Sequence, residues 1–155
     1  MLSLYEPKLE DLWFRAELMG DPETMSYNHA QGGTLPFPRE KWSAWYHKWI
    51  VQHGGQRYYR YLMDREADAF VGEIAYYLDC QRNLYIADII VHARHRGRGY
   101  GTEGLRLLCG AAKENGLTAL YDDIAIDNPS VHLFLHNGFT VDYQTEDIIM
   151  VKREL

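Results

Sequence analysis

The sequence predicts one α/β domain built around a central sheet, and three observations carry this prediction. The chain has 155 residues, which is the usual size of one compact domain. From Arg57 onward, aromatic and β-branched runs alternate with amphipathic segments, as strands and helices do around a single sheet. The chain contains no internal repeat and no low-complexity linker. We therefore expect residues 1–155 to form a single domain.

The N-terminal third is predicted to be helical. Apolar residues at helical spacing predict helices over 7–19 and 42–53. Between them, Asp-Pro-Glu at 21–23 provides a cap, a proline and an acid, so a short helix is expected to reach about Tyr27. A loop over 31–38 follows. The last helix carries one aromatic stripe: Trp42, Trp45, Tyr46 and Trp49. Such rings can hold a cation, but they more often pack in a core, and we favour the core.

The rest of the chain alternates between strands and helices. Helices are predicted over 101–115 and 130–136. The segment LYIADIIV at 84–91 is almost continuously apolar, which is typical of a strand buried on both faces, and Asp88 is its only charge. Strands are predicted over 57–63, 69–78, 84–91, 119–126, 139–143 and 148–152.

A glycine-rich loop, RGRGYGT at 96–102, joins the apolar strand to the next helix. Three glycines in five positions let the backbone approach a ligand, and the start of the helix offers free N–H groups to an anion. Arg96 and Arg98 add positive charge, so a pyrophosphate would fit here. The spacing matches neither GxxxxGK[ST] nor GxGxxG, which disfavours a nucleotide-hydrolysing or dinucleotide site.

Two motifs resemble those of the GNAT superfamily of N-acetyltransferases. Arg96, Gly99 and Gly101 fit its acetyl-CoA signature, R-x-x-G-x-G, and DNPSVHLFLHNGF at 127–139 is similar to its second motif, N…LYEKxGF. The resemblance covers about 70–139 well. It implies a mixed, mostly antiparallel sheet of six to seven strands, flanked by helices and splayed between the fourth and fifth strands. It also implies an acyltransferase that moves an acetyl group from acetyl-CoA to an amine.

The resemblance also implies how acetyl-CoA is bound. The backbone of 89–91 would pair with the pantetheine arm, and 97–102 would hold the pyrophosphate. Asn128 would bind the pantetheine or shape the wall beside it, although Asp127 could take the family's asparagine position because the spacing to Gly138 is one residue short. The expected cofactor-binding residues are Ile89, Ile90, Val91, Arg96, Gly97, Arg98, Gly99, Tyr100, Gly101, Thr102 and Asn128.

The chemistry requires a base, because an alkyl amine with a pKa near ~10 is protonated at neutral pH. Asp88 is the first candidate, since burial in an apolar strand raises the pKa of a carboxyl group toward the working pH. Glu73 in the preceding strand and Asp123 in the following one are the alternatives. Asp88 could instead be a structural carboxylate, held by an arginine or by backbone N–H groups.

The departing sulfur raises a second question. The family commonly supplies a tyrosine to protonate it, but this chain has Phe134 at that position. A thiol has a pKa of about 8.5, so the thiolate can leave without an acid. A different tyrosine could also serve, and the candidates are Tyr100, Tyr121 and Tyr143. The missing tyrosine also keeps open a GNAT-like domain that binds acyl-CoA without turnover.

Net charge, hydropathy and cysteine content narrow the classes of molecule that the protein is expected to bind. The formal charge of −6 argues against nucleic acid and favours a cationic small molecule or a basic peptide, so the expected acceptor is an amine of either kind. No apolar run is long enough to span a bilayer and the first residues lack a signal pattern, so we expect no membrane partner and a cytoplasmic location. Two cysteines without a CxxC motif indicate no metal site and no disulfide framework. The resemblance also allows a homodimer.

Overall fold

The computed structural model describes residues 1–31 and 33–155, and in these residues seven strands form one sheet. The strands are β1 Leu2–Tyr5, β2 Arg57–Asp64, β3 Ala69–Asp79, β4 Leu84–Val91, β5 Ala119–Ala125, β6 Thr140–Gln144 and β7 Ile148–Glu154. Their order is β1-β2-β3-β4-β5-β7-β6, and every pair is antiparallel except β4 with β5. This confirms the mixed, mostly antiparallel sheet that the sequence predicts.

Helices cover both faces of the sheet. The described α-helices are α1 Trp13–Gly20, α2 Trp42–Tyr46, α3 Tyr100–Glu114 and α4 Ser130–His136. A 3-10 turn leads into α1 and a π turn at His47–Val51 extends α2, so the helices predicted over 7–19 and 42–53 are confirmed. Residues of α1 and α2 pack on one face, and residues of α3 and α4 pack on the other. Two apolar cores therefore lie on opposite sides of one sheet.

The helix predicted from Asp21 to about Tyr27 is wrong, because residues 22–25 form turns and a 3-10 segment begins only at Ser26. The Asp21 carboxylate accepts hydrogen bonds from the Thr24 amide and hydroxyl, at 3.1 and 2.5 Å. The capping residue thus closes an isolated turn, and no α-helix follows it. The loop predicted over 31–38 includes Gly32, which lies outside the described residues.

The chain also begins with a strand that the sequence analysis does not predict. Strand β1 is only four residues long, which is too short for a periodic pattern to stand out. Its residues pair with β2 from Leu2 opposite Asp64 to Tyr5 opposite Tyr61. The Leu2 amide also donates to a carboxylate oxygen of Glu103 on α3 at 2.7 Å. Tertiary contacts, and not local propensity, therefore define this strand.

Close packing of α3 sets the position of the glycine-rich loop that precedes it. Gly104 is buried, and a Cβ atom there would lie 2.7 Å from Leu62 Cδ1 and 3.1 Å from Ile89 Cδ1. Only glycine lets the helix approach β2 and β4 this closely. The N-terminus of α3 is thereby held beside the C-terminal end of β4.

Candidate active site

Strands β4 and β5 are neighbours in the sheet that diverge along their length and so open a cleft between them. β4 pairs with β3 from Leu84 to Val91, whereas its pairing with β5 among the described residues is the single pair Ile86 with Tyr121. Beyond Ile86, both strands line a cavity of about 630 Å³. This confirms the splay between the fourth and fifth strands. It corrects one expectation, because Asp88 is exposed and Ile89 to Val91 are only partly buried, so β4 is not buried on both faces throughout.

One end of the cavity is made by the glycine-rich loop. Gly97 and Gly99 have φ angles of +80° and +81°, and no atom lies within 4 Å of the place where their Cβ atoms would stand. Gly99 is also the N-cap residue of α3, so the first free amides of this helix lie at the same end. Open space, exposed backbone and a positive helix end together suit a phosphate group.

The two arginines of this loop have different surroundings. Arg96 donates to the carbonyl oxygens of Thr24 at 2.7 Å and Glu23 at 3.4 Å, and its guanidinium lies 5.6 Å from the centre of the Tyr27 ring. It therefore holds the turn region over the cavity while keeping its positive charge beside the glycines. Arg98 is exposed and lies outside the described lining of the cavity, as does Thr102.

The other residues expected at the cofactor line the walls of the cavity. They are Ile89, Ile90, Val91, Tyr100, Gly101 and Asn128. The Asn128 Oδ1 atom accepts a hydrogen bond from the Ser130 amide at 2.9 Å, so this side chain closes a local turn just before α4. Asp127, the alternative for the same role, is exposed.

The opposite end of the cavity is acidic and carries Asp88, Asp122 and Asp123. The Asp88 side chain is exposed to the cleft, but the surrounding protein displaces bulk water. This desolvation and the negative charge of Glu73 together raise the pKa of Asp88 to about 6, although Arg15 opposes the change. Desolvation and the neighbouring Asp88 and Asp123 also raise the pKa of Asp122 well above its usual range. Asp88 and Asp122 therefore retain protons at pH values where isolated carboxyl groups have lost them.

The other two candidate bases are each engaged by an arginine. Glu73 is 2% exposed, lies outside the described cavity lining, and accepts two hydrogen bonds from Arg15 Nη1 at 3.0 and 2.9 Å and one from the Tyr59 hydroxyl. Asp123 accepts a bond from Arg82 Nη2 at 3.3 Å, and the same arginine binds Asp79 at 2.8 Å. Both carboxylates are therefore held in ion pairs, Glu73 with Arg15 and Asp123 with Arg82.

The aromatic stripe of α2 and the turn that follows it packs partly against the second core, as expected. The cations above these rings belong to the chain itself. The Arg15 guanidinium lies 4.6 Å from the centre of the Trp45 ring, Arg39 lies 5.1 Å from that of Trp42, and Arg57 lies 5.9 Å from that of Trp49. The stripe thus anchors Arg15, which in turn holds Glu73.

Phe134 lies in the cavity wall, 1% exposed, with its ring centre 5.0 Å from that of Phe139. Of the three tyrosines considered as substitutes, Tyr121 lies beneath Lys152, with the amine 5.5 Å from the ring centre. Tyr143 is exposed on β6. Tyr100 lines the cavity, but its hydroxyl donates to Asp64. Its proton is therefore already engaged by the Asp64 carboxylate.

The sequence analysis missed Asp122. The signal is the one that singles out Asp88, namely one carboxylate on an otherwise apolar strand face, here between the buried residues Leu120 and Ile124. Because Asp123 follows it directly, the two aspartates resemble an ordinary pair of solvent-exposed surface charges. Only the pairing of β4 with β5 reveals that Asp122 lies on the lip of the splay.

Two further findings concern a membrane span and a metal site. Within 1–31 and 33–155, no helix combines the length and the apolar character needed to cross a bilayer. Across the same part of the chain, no three His, Cys, Asp or Glu side chains converge as a metal-binding group would.

The family and the fold are shown by comparison with known proteins. Residues 2–140 match the family model described as an acetyltransferase (GNAT) domain. No curated protein matches the sequence at a significant level. Solved structures do resemble the fold. The spermidine N-acetyltransferase of Vibrio cholerae, in complex with CoA and spermine, is 19% identical with a TM-score of 0.79, covering 99% of this chain and 95% of its own.

Two further structures are similar to the same extent. A GNAT family acetyltransferase from Bacillus anthracis is 16% identical with a TM-score of 0.78, covering 99% of this chain and 94% of its own. A phosphinothricin acetyltransferase from Sinorhizobium meliloti, in complex with acetyl-CoA, is 19% identical with a TM-score of 0.77, covering 99% and 88%. At these identities the structures establish the fold, and the family model establishes the class. The chain therefore belongs to the GNAT acetyltransferase family and is an acyltransferase.

Proposed function

We propose that residues 1–155 act as one N-acetyltransferase domain that transfers the acetyl group of acetyl-CoA to a primary amine by direct attack in a ternary complex. One observation carries this proposal. A single cavity joins the glycine loop at 96–101 to the carboxylate of Asp88 through the gap between β4 and β5. A donor that enters at the loop and an acceptor that enters at the acidic end would meet inside the sheet.

The residues of the loop suit the CoA part of the donor. Gly97, Gly99 and the first amides of α3 would hold the pyrophosphate, because their backbone is open and the helix dipole is positive there. Strand β4 lacks a partner along its β5 side beyond Ile86 in the described chain, so 89–91 would pair with the pantetheine as a neighbouring strand does. When bound, acetyl-CoA supplies an acyl group activated as a thioester.

Asp88 is the base that the surroundings favour. Its pKa of about 6 keeps it mostly ionised at neutral pH, while leaving it more basic than an ordinary carboxylate. Glu73 and Asp123 are instead held in ion pairs by Arg15 and Arg82. Asp88 would take a proton from the amine nitrogen as the nitrogen attacks the acetyl carbon.

The acidic end also suits the charge of the acceptor. Most amines arrive protonated, and a cleft lined by Asp88, Asp122 and Asp123 attracts cations. The Vibrio cholerae enzyme was solved with spermine, which makes polycationic amines the first acceptors to test. Basic peptides with a free amine form the second class, and amino acid analogues such as phosphinothricin form the third.

A thiol-release assay tests the proposal. Acetyl-CoA is incubated with spermine, a lysine-rich peptide or phosphinothricin, and free CoA is measured against reactions without amine. We expect release with at least one amine, and we expect the matching acetylated product by mass spectrometry. A protein that binds CoA but accelerates release with none of these amines would contradict the proposal.

A further inference from the structure

Asp122 and Asp88 both lie just beyond the last pair between β4 and β5, but on opposite faces of the sheet. Ile86 and Tyr121 form the last pair between β4 and β5, and Asp88 and Asp122 follow them by two residues and one residue. Side chains alternate along a strand, so these offsets put the two carboxyl groups on different faces. The gap between the strands is all that separates them.

The contacts of neighbouring residues identify the two faces. Asp88 lies opposite Ala75 in the register of β3 and β4, and Ala75 belongs to the core beneath α1 and α2. Asp122 alternates with Leu120 and Ile124, which belong to the core beneath α3 and α4. Asp88 therefore belongs to the face of α1 and α2, and Asp122 belongs to the face that carries the glycine loop.

Phe134 occupies this second face as well. It shares the core of Leu120 and Ile124 and lines the same cavity as Asp122. Three described tyrosines line the cavity, and two of them already contact other side chains. The Tyr100 hydroxyl donates to Asp64, and the Tyr27 ring lies beneath the Arg96 guanidinium. Tyr77, the third, pairs in register with Ile86 and so lies on the face of Asp88. Asp122 is thus the carboxyl group that shares both a sheet face and a cavity wall with the ring at the family's tyrosine position.

The charges around Asp122 favour its neutral form. Asp88 lies across the gap on β4, and Asp123 is the next residue on β5. Arg82 offsets part of this negative charge, but it is bound to Asp79 and Asp123. Two carboxyl groups that share one desolvated gap do not both ionise readily, so one keeps its proton. Arg15 favours the ionised form of Asp88, whereas the two carboxyl neighbours of Asp122 both disfavour its ionised form, so the retained proton belongs to Asp122.

We propose, on the basis of the acetyl transfer above, that Asp122 is the general acid that protonates the sulfur of the departing CoA. The amine nitrogen forms a bond to the acetyl carbon and loses a proton to Asp88. As the bond between carbon and sulfur breaks and its electron pair leaves with the sulfur, the Asp122 hydroxyl gives its proton to that sulfur. A proton passing from Asp88 to Asp122 across the gap restores both groups. The proton of the ammonium form is lost to solvent before the attack. From the neutral amine onward, one proton leaves nitrogen and one reaches sulfur, so the step balances.

Hydroxylamine separates the two carboxyl groups kinetically, because it is already unprotonated at neutral pH and does not need a base. With hydroxylamine as acceptor, Asp122→Asn should slow CoA release by about 100-fold or more, the usual effect of losing a general acid, while Asp88→Asn should slow it only a few-fold. Equal losses in the two variants, or none in Asp122→Asn, would overturn the proposal. If the wild-type protein releases no CoA with any amine or with hydroxylamine, the proposed function itself fails instead.

Infrared difference spectroscopy tests the protonation state without turnover. A neutral carboxylic acid has a C=O stretch that a carboxylate lacks. We expect this band at neutral pH in the wild-type protein, but not in Asp122→Asn. It should shift when CoA binds and stay unmoved with desulfo-CoA, which lacks the sulfur. A band that is absent from the wild type, or that responds equally to both ligands, would contradict a contact with sulfur.

Restoration of the family's tyrosine gives the sharpest control. Phe134→Tyr would introduce a hydroxyl on the same face, so in the Asp122→Asn background it should recover at least tenfold of the lost rate. The melting temperature and the CoA affinity of each variant show whether its fold is intact. No recovery in a folded double variant that binds CoA normally would argue against a missing proton donor and would refute the assignment of Asp122.

Discussion

The two ends of the cavity are built from different parts of the protein. The phosphate end consists of backbone, with Gly97 and Gly99 at positive φ and the first turn of α3 contiguous in sequence. The acidic end consists of side chains on two strands, Asp88 on β4 and Asp122 on β5, which meet only because these strands run parallel before they diverge. In the proposed reaction, the first end would recognise its ligand by shape and dipole. The second would work through protonation states that neighbouring groups set.

This difference predicts that the two ends respond to different perturbations. Changes in the loop should alter CoA affinity and leave the pH dependence of the chemistry unchanged. Changes around Asp88 should alter the pH dependence and leave CoA affinity unchanged. A variant that shifted both properties together would show that the two ends are coupled through the cleft.

The largest effect is expected from Asp88→Asn, which keeps the shape of the side chain and removes the base. The turnover number with spermine should fall by about 100- to 10,000-fold, while acetyl-CoA affinity stays within a few-fold. The loss should shrink at high pH, where free amine is abundant. Asp142→Asn is the control, since Asp142 is an exposed carboxylate on the edge strand β6. Near-normal turnover in Asp88→Asn would transfer the role to Glu73 or Asp123.

The pH profile sharpens the same comparison. Asp88 accepts a proton only when ionised, and its pKa is raised to about 6, so kcat/KM should be lost as pH falls through about 6. An unperturbed aspartate would place this fall in activity, the acid limb of the pH profile, near pH ~4. In Asp88→Asn the limb should disappear. A limb that stays near pH 6 in this variant would belong to another group.

The glycine loop at one end of the cavity could be predicted from the sequence because that end is local. The motif at 96–102 contains the turn, the charge and the helix start within seven residues, so no tertiary information is needed. Asp88 could be predicted for a similar reason, since a lone charge in an apolar strand is visible in the sequence. The splay itself came from family resemblance and not from the pattern of residues.

The remaining features depend on contacts between distant segments. Arg15 and Glu73 are 58 positions apart, and nothing in either segment specifies their pairing. Asp122 was missed because its face is defined by the pairing of β4 with β5, at one residue pair. The turn at Asp21 was misread since the same cap residue begins helices and closes turns.

At the phosphate end, Gly99→Glu should weaken CoA binding by at least about 100-fold, because a carboxylate beside the pyrophosphate adds like-charge repulsion of several kcal/mol. Gly99 has a φ of +81°, so any side chain there also strains the backbone. Gly99→Ala is the matched control, since it has the strain without the charge. Isothermal titration with CoA should show a much smaller loss for alanine. Equal losses would assign the effect to backbone strain.

Glu73→Gln is expected to act on stability and on Asp88, but only weakly on CoA. Removing one partner of a largely buried ion pair leaves Arg15 uncompensated and should cost about 3 kcal/mol of unfolding free energy. Glu73 also helps to raise the pKa of Asp88, whereas Arg15 lowers it, so the acid limb should move below pH 6. Glu66→Gln, at an exposed site, is the control. If the acid limb of the pH profile does not move in the folded variant, the charge of Glu73 does not influence the pKa of Asp88.

The smallest effects are expected at Phe134, which lies between the two ends. Phe134→Leu removes a ring that is 1% exposed and packed on Phe139, so it should cost about 1 kcal/mol of stability, while most of the activity remains because the ring moves no proton. Phe134→Tyr in the otherwise wild-type protein should raise turnover only modestly, since Asp122 already faces the same part of the cavity. Turnover and CoA affinity measured together test both expectations. A large loss of turnover in Phe134→Leu, with melting temperature and CoA affinity near normal, would mean that the ring itself orients the thioester, and the division between a backbone end and a carboxyl end would then need a third, aromatic component.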